Sequence, residues 1–174
     1  PIQINSTTVV KARMFYAGQL PGPTVTNTYF INEGFDQRGL PVLSLSSDPD
    51  YFFAADSGLY VQDFKPTWEY PVHLEFYEPD GLAGFHHDAG IQVGGQNAWI
   101  LPQKLLNIYS RGQYGSGHFD YQLFPDNPRT RFGDIVLRCS GNDWSYTMFR
   151  DGMMQGLIDQ AAVFDFAAAQ GNGH

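Results

Sequence analysis

The sequence is short of cysteine, of basic residues and of long apolar runs. Its single cysteine, Cys139, rules out an internal disulfide, and its place in the strand-like run 134–139 predicts a small buried residue. Ten basic against eighteen acidic side chains give a formal net charge of -8 with no basic patch, which argues against a nucleic-acid partner. No run approaches the roughly 18 apolar residues of a transmembrane helix, so we predict no membrane span.

Apolar and aromatic residues are plentiful in this chain. Apolar residues make up 43% and aromatic residues 16% of 174 residues, a composition that folds rather than staying disordered. That length fits one medium domain, or a small domain with a fragment of another. The chain starts at Pro1 in mid-pattern, without an initiator Met or a leader, so we expect a longer parent. Residues 169–174 are small and polar, which predicts a flexible tail.

Alternating apolar residues and turn signals predict an α+β fold, mostly antiparallel sheet with one main C-terminal helix. The helix is expected over about 146–168, capped by Asp143 or Ser145, with an apolar face at Phe149, Met153, Leu157, Ala161 and Phe164. A single helical turn is expected within 50–55, and a long aromatic-anchored connection over 113–128. The predicted strands cover 7–13, 25–31, 40–45, 70–77, 85–93, the stretch around Leu106 and Ile108, and 135–139.

The first two strands form a hairpin, which is marginal in water unless it packs on other strands. Its sequence, PIQINSTTVVKARMFYAGQLPGPTVTNTYFI, resembles the last two strands of the chitobiase/β-hexosaminidase C-terminal type of β-sandwich. Such modules are commonly spacers in secreted carbohydrate-associated proteins. The resemblance implies that residues 1–33 are the end of a spacer module with an architectural role.

From residue 40 onward, seven segments in consistent order resemble the spore-coat protein H (CotH) family: LPVLSLSSDPDYFFAADSGLYV, YPVHLEFYEPDG, FHHDAGIQVGG, PQKLLNIYSRGQYG, FDYQLFPD, IVLRCSGND and FRDGMM. The resemblance assigns residues 34–168 to the N-terminal region of that family. It implies an atypical protein-kinase-like fold that phosphorylates protein Ser or Thr with ATP and Mg²⁺ in the intact parent. It also implies an extracellular or cell-surface location.

Phosphoryl transfer needs a cation on the nucleotide phosphates and carboxylates on the metal. Lys104 matches the family's Pro-x-Lys position, ten residues after the Gly94–Gly95 turn, and these three residues are the candidate ATP-binding residues. The alternative is a solvated strand lysine beyond a tight hairpin turn. The chain departs from the family at residues 97–98, where Asn-Ala replaces the frequent Ser-Arg.

The helix junction also carries part of the family pattern. Asn142, Asp143, Arg150 and Asp151 match the family's GND and RD segments, and their alternative role is capping plus an ion pair that fixes the helix. The family's metal-binding and catalytic carboxylates are expected beyond this helix. We therefore assign no catalytic residue here and expect the isolated chain to be inactive.

Other clusters suggest other chemistries. The run His86-His87-Asp88 suggests a metal, but neighbouring strand residues point to opposite faces, so no metal site is predicted. Asp48, Asp50 and Asp56 lack the spacing of an EF-hand, and spacing cannot pair Glu69 with Glu75 or Glu78 as glycosidase acids. Six aromatic residues are candidates for a sugar platform: Trp68, Tyr70, Trp99, Tyr109, Tyr114 and Trp144. The alternative function is thus a non-enzymatic extracellular module for surface assembly or carbohydrate recognition, with a surface protein or a glycan as partner.

Overall fold

The computed structural model describes residues 1–34, 39–61, 67–95, 100–125, 127–143 and 145–161. The strands in this part of the chain are β1 Thr8–Arg13, β2 Thr24–Tyr29, β3 Val42–Ser46, β4 Glu69–Tyr77, β5 Ala83–Gly94, β6 Leu105–Tyr109, β7 Phe119–Asp120, β8 Arg131–Phe132 and β9 Asp134–Leu137; the α-helices are α1 Pro49–Phe53 and α2 Arg150–Ala161. Strands β1 and β2 form a two-stranded sheet, five strands form the main sheet in the order β3-β4-β5-β6-β9, and β7 pairs with β8. All of these pairings are antiparallel, which confirms the predicted fold class.

The main sheet has one apolar face and one polar face. Alternation in β4 buries Val72, Leu74 and Phe76 and places His73 and Glu75 on the opposite side. The apolar side, here called the core face, is covered by chain segments that include two fully buried side chains, Leu59 and Phe119. The polar side is here called the outer face.

The hairpin of β1 and β2 lies against the outer face. Thr28 of β2 is buried there and bonds to Ser44 of β3 and Glu75 of β4. The ring of Phe30 also meets Tyr77 edge-on, with 4.9 Å between centroids. A two-stranded hairpin alone is only marginally stable in water, and these contacts with the main sheet stabilise it. The spacer origin and the boundary after residue 33 remain predictions.

Strand β9 ends earlier than predicted, and the long connection has some strand structure. Cys139 lies just beyond the end of β9 at Leu137 and is buried as expected. Within the predicted connection, Phe119 and Asp120 pair with Phe132 and Arg131 in a two-residue ladder. Such a short ladder has too little alternation to be visible in the sequence.

The C-terminal helix is shorter and less buried than predicted in its described part. It begins at Arg150, because residues 145–148 form a turn and Met148 has a positive φ of 62°. Phe149, Met153 and Leu157 are 58%, 45% and 52% exposed, so about half of the surface of each side chain remains in contact with solvent. Phe164 and the tail 169–174 lie outside the described residues.

Within the described ranges, none of the helices combines the length and the apolarity that crossing a bilayer demands.

Candidate functional site

Glu75 lies at the centre of the outer face as a buried carboxylate. It is 6% exposed and accepts hydrogen bonds from the backbone N–H of Thr28 at 3.0 Å, the Thr28 hydroxyl, and the Tyr77 hydroxyl at 2.9 Å. A buried carboxylate is costly unless such donors satisfy it. We call the three residues Thr28, Glu75 and Tyr77 the hairpin clamp, because their bonds join β2 to β4.

Tyr77 completes the clamp as a neutral phenol. Burial and then the hydrogen bond to the Glu75 carboxylate and its charge raise the pKa of Tyr77 to about 12. Its hydroxyl lies 3.2 Å from the Thr28 carbonyl as well as 2.9 Å from Glu75. A phenol that stays protonated is a hydrogen-bond donor, which fits a structural role for this pair.

His73 and Asp88 form a second polar pair on the outer face. Nδ1 of His73 lies 2.6 Å from Oδ1 of Asp88, and the His86 ring stacks on His73 with 6.1 Å between centroids. Nε2 of His73 is buried and forms no hydrogen bond with any described residue. The nearby Ser47 hydroxyl donates to the Pro71 carbonyl. The group is therefore not a Ser-His-Asp triad, which needs an accessible Nε2 beside a hydroxyl.

The two adjacent histidines point to opposite faces, as predicted. His87 lies on the core side, with its ring 4.6 Å from the Phe119 ring and Nε2 2.7 Å from the Ser110 hydroxyl. Burial is the main cause that lowers the pKa of His87. Among the described residues, no group of three or more His, Cys, Asp or Glu is placed to hold a metal ion.

A loop folds over strand β5 beside the histidine pair. Arg111 lies 3.0 Å from the Glu69 carboxylate, and the Tyr114 hydroxyl donates to the same carboxylate at 3.1 Å. Burial and then the Glu69 interaction raise the pKa of Tyr114. A Cβ on Gly90 would come 2.4 Å from Glu69 Oε1 and 2.6 Å from a Tyr114 ring carbon. Any larger residue at position 90 would therefore displace the Glu69 carboxylate and the Tyr114 ring.

The structure brings the three candidate ATP-binding residues to one end of the β5–β6 hairpin. Gly94 pairs with Leu105, the residue after Lys104. The Lys104 ammonium lies over the Tyr60 ring, 5.5 Å from its centroid, and burial lowers the pKa of Lys104. The segment around Tyr60 packs against the core face through Leu59 and Val61.

The two glycines have structural explanations of their own. A Cβ on Gly94 would meet the Asn107 side chain at 2.4 Å and Leu105 at 2.7 Å, so a larger residue here would displace the ends of these two side chains. Gly95 has a φ of 83°, a conformation that glycine adopts without strain. The hypothesis of a phosphate-binding site therefore depends on Lys104, and the two glycines give it little support.

At the helix junction, Asp143 acts as a cap. Its carboxylate accepts from the Thr147 N–H at 3.3 Å and the Arg150 N–H at 3.2 Å, and it lies 3.1 Å from Nε of Arg150. Burial raises the pKa of Asp143, but these hydrogen bonds and the Arg150 charge outweigh it and leave the pKa below its ordinary value. Capping plus an ion pair, the expected alternative, is what the geometry shows. The side chains of Asn142 and Asp151 lie outside the described part.

Three residues of the predicted sugar platform lie in different environments. Tyr70 stacks on Tyr51 and donates to the Ser57 carbonyl, Tyr109 lies under Arg111, and Trp68 packs against the core. Trp99 and Trp144 lie outside the described residues. Asp48, a member of the suggested calcium cluster, caps α1 by accepting from the Asp50 N–H at 3.1 Å.

Sequence reasoning missed the hairpin clamp and the loop over β5. Thr28 and Glu75 are 47 positions apart, and Tyr114 and Glu69 are 45 apart. The available signal was a glutamate at each of two outward positions of β4, where strand alternation demands only a polar residue.

No family model matches this chain, and comparison with curated proteins and with solved structures found no match either.

Proposed function

We propose that this chain is the nucleotide-binding part of a kinase-like protein of the CotH type, secreted or held at the cell surface. Lys104 contacts the phosphates of ATP, and Mg²⁺ accompanies the nucleotide in the intact parent. One observation carries the proposal: Lys104 is half-buried just before β6, next to Gly94–Gly95, and its ammonium lies over the Tyr60 ring.

Two further features support the proposal. Lys104 lies partly out of water over an aromatic ring, so its ammonium has lost part of its hydration. A phosphate that binds this ammonium restores the lost interactions, so the contact stabilises the complex more than a contact to a fully solvated lysine would. An antiparallel five-stranded sheet followed by a helix also agrees with the implied kinase-like architecture. The resemblance places the metal-binding carboxylates beyond the helix, so we assign nucleotide binding, and not phosphoryl transfer, to the described residues.

Calorimetric titration with ATP and Mg²⁺ tests the proposal on the wild-type chain, on Lys104→Met and on a matched control, Lys11→Met in strand β1. Losing one charge-assisted contact of about 1.5–3 kcal/mol weakens binding by roughly 10-fold to 150-fold. We expect that loss in Lys104→Met alone. Absence of ATP binding by the wild type, or equal binding by both variants, refutes the proposal.

The rival function is a non-enzymatic structural or binding module for surface assembly. The anchored hairpin favours it, because a spacer strand pair fixed to a domain by a buried carboxylate sets the direction in which that domain is displayed. Such a module binds no nucleotide, so the same titration separates the two functions.

A further inference from the structure

A groove runs along the outer face where strand β3 ends. It has a volume of about 340 Å³, and its lining includes Lys11 of the hairpin, Ser47, Tyr51, Asp88, Gln113 and Tyr114. Small-molecule sites usually hold roughly 300–1,000 Å³. This groove therefore suits a small ligand, and it is separate from Lys104, which lies over Tyr60.

The charges of the lining disfavour an anionic ligand. Lys11 is the one cationic side chain among the lining residues, and Asp48 and Asp88 oppose it with two carboxylates. Lys11 also lies 3.4 Å from the Ser47 carbonyl.

The polar groups of the groove offer both donors and acceptors. Asp88 is 63% exposed and uses one oxygen on His73, which leaves the rest of its carboxylate facing solvent. Gln113 is exposed and brings an amide with both functions. Lys11 is a donor. A neutral molecule with several hydroxyl groups can use all three, since each hydroxyl both donates and accepts.

Two tyrosine rings stand in fixed positions along the same groove. Tyr51 stacks on Tyr70 with 4.7 Å between centroids and 7° between planes, so its orientation is set by packing. Tyr114 is held by its hydrogen bond to Glu69. Rigid aromatic rings add apolar contact at little entropic cost.

We propose that this groove binds a saccharide of one or two rings, with Asp88 and Gln113 hydrogen-bonding its hydroxyls and Tyr51 packing against a ring face. A site of this kind is independent of the proposed nucleotide site. It differs from the six-residue aromatic platform expected from the sequence, with which it shares Tyr114.

Saturation-transfer NMR on the whole chain tests the proposal with three neutral probes, namely cellobiose, N,N′-diacetylchitobiose and maltose, at concentrations on the order of 10 mM. We expect transfer to at least one probe. Loss of one hydrogen bond to a charged group weakens binding by about 10-fold or more, so Asp88→Asn should bind at least about tenfold more weakly. Gln113→Ala changes an exposed side chain and should weaken binding about fivefold, which keeps the test valid if Asp88→Asn disturbs His73.

Asp134→Asn is the matched control, because Asp134 is an exposed aspartate on β9, the far strand of the same sheet. It should bind the saccharide as the wild type does, and so should Lys104→Met, whose weaker ATP binding is a separate result. Three outcomes overturn the proposal: no transfer to any probe, transfer unchanged in both groove variants, or transfer to 1,4-diaminobutane but to no saccharide. The last outcome would identify the groove as an amine site.

Discussion

Replacing Thr28 by valine tests whether the clamp holds the hairpin to the sheet. Valine keeps the shape and β-propensity of threonine but removes the hydroxyl that Glu75 accepts from and that meets Ser44 Oγ at 2.8 Å. A hydrogen bond to a charged group contributes about 1.5–3 kcal/mol, and a neutral one about 0.5–1.5 kcal/mol. Glu75 keeps the Thr28 backbone N–H and the Tyr77 hydroxyl, so we expect a loss near the lower sum, about 2 kcal/mol.

The loss should appear mainly in the hairpin. Two strands without tertiary contacts are marginal in water, so weakening the clamp frees β1 and β2 before the five-stranded sheet opens. Hydrogen exchange on Thr28→Val should show faster exchange across both hairpin strands, by roughly 30-fold for 2 kcal/mol, with little change in β5 and β6. Thr24→Val on the same strand is the control, since Thr24 is exposed. Equal exchange in the two variants, or an equal rise throughout the main sheet, would refute the reasoning.

Two further predictions concern the outer face. Glu75→Gln removes the negative charge beside Tyr77, so the pKa of Tyr77 should fall from about 12 toward 10.0 in an ultraviolet titration of tyrosinate, with Tyr77→Phe as reference. A raised phenol pKa stabilises the fold below pH 10.0, and that contribution disappears as the pH rises toward 12. The wild type should therefore lose more stability than the variant over this pH window. An unchanged titration would contradict it. In the wild type, the buried and unbonded Nε2 of His73 destabilises the fold by about 1–3 kcal/mol, and His73→Leu removes that penalty. The same substitution loses the bond to the largely exposed Asp88, which stabilises the fold by only about 0–1 kcal/mol. Urea unfolding should therefore show equal or higher stability, and a loss above about 2 kcal/mol would mean that Nε2 has a partner in solution.

The main sheet was well predicted because the patterns that specify its strands lie within short stretches of the sequence. Alternation in β4 and β5 separates a buried face from a polar one, and turn residues such as Gly81 mark where a strand must end. The helix was less predictable, since its start depends on Met148 taking a positive φ and on Asp143 bonding four and seven positions ahead. Neither feature has a periodic signal.

The candidate site was predictable in part. The motif resemblance selected Lys104, Gly94 and Gly95, and the fold does bring them to one end of a hairpin. The groove and the clamp were not predictable, because each depends on the side of the sheet on which the hairpin and the 110–117 loop settle. That choice is made by contacts between residues far apart in the chain, such as Thr28 with Glu75.

Strand β4 presents its neighbours with two different surfaces, and this limits where the chain can change length. One extra residue just before Val72 would exchange those surfaces in the rest of the strand, sending Leu74 toward the hairpin and Glu75 into the apolar interior. The register shift already present between Phe76 and Tyr77 falls after the clamp glutamate and spares it. Peptide tags or reporter loops should therefore be grafted into the turn at 79–81, where added length leaves both surfaces in place.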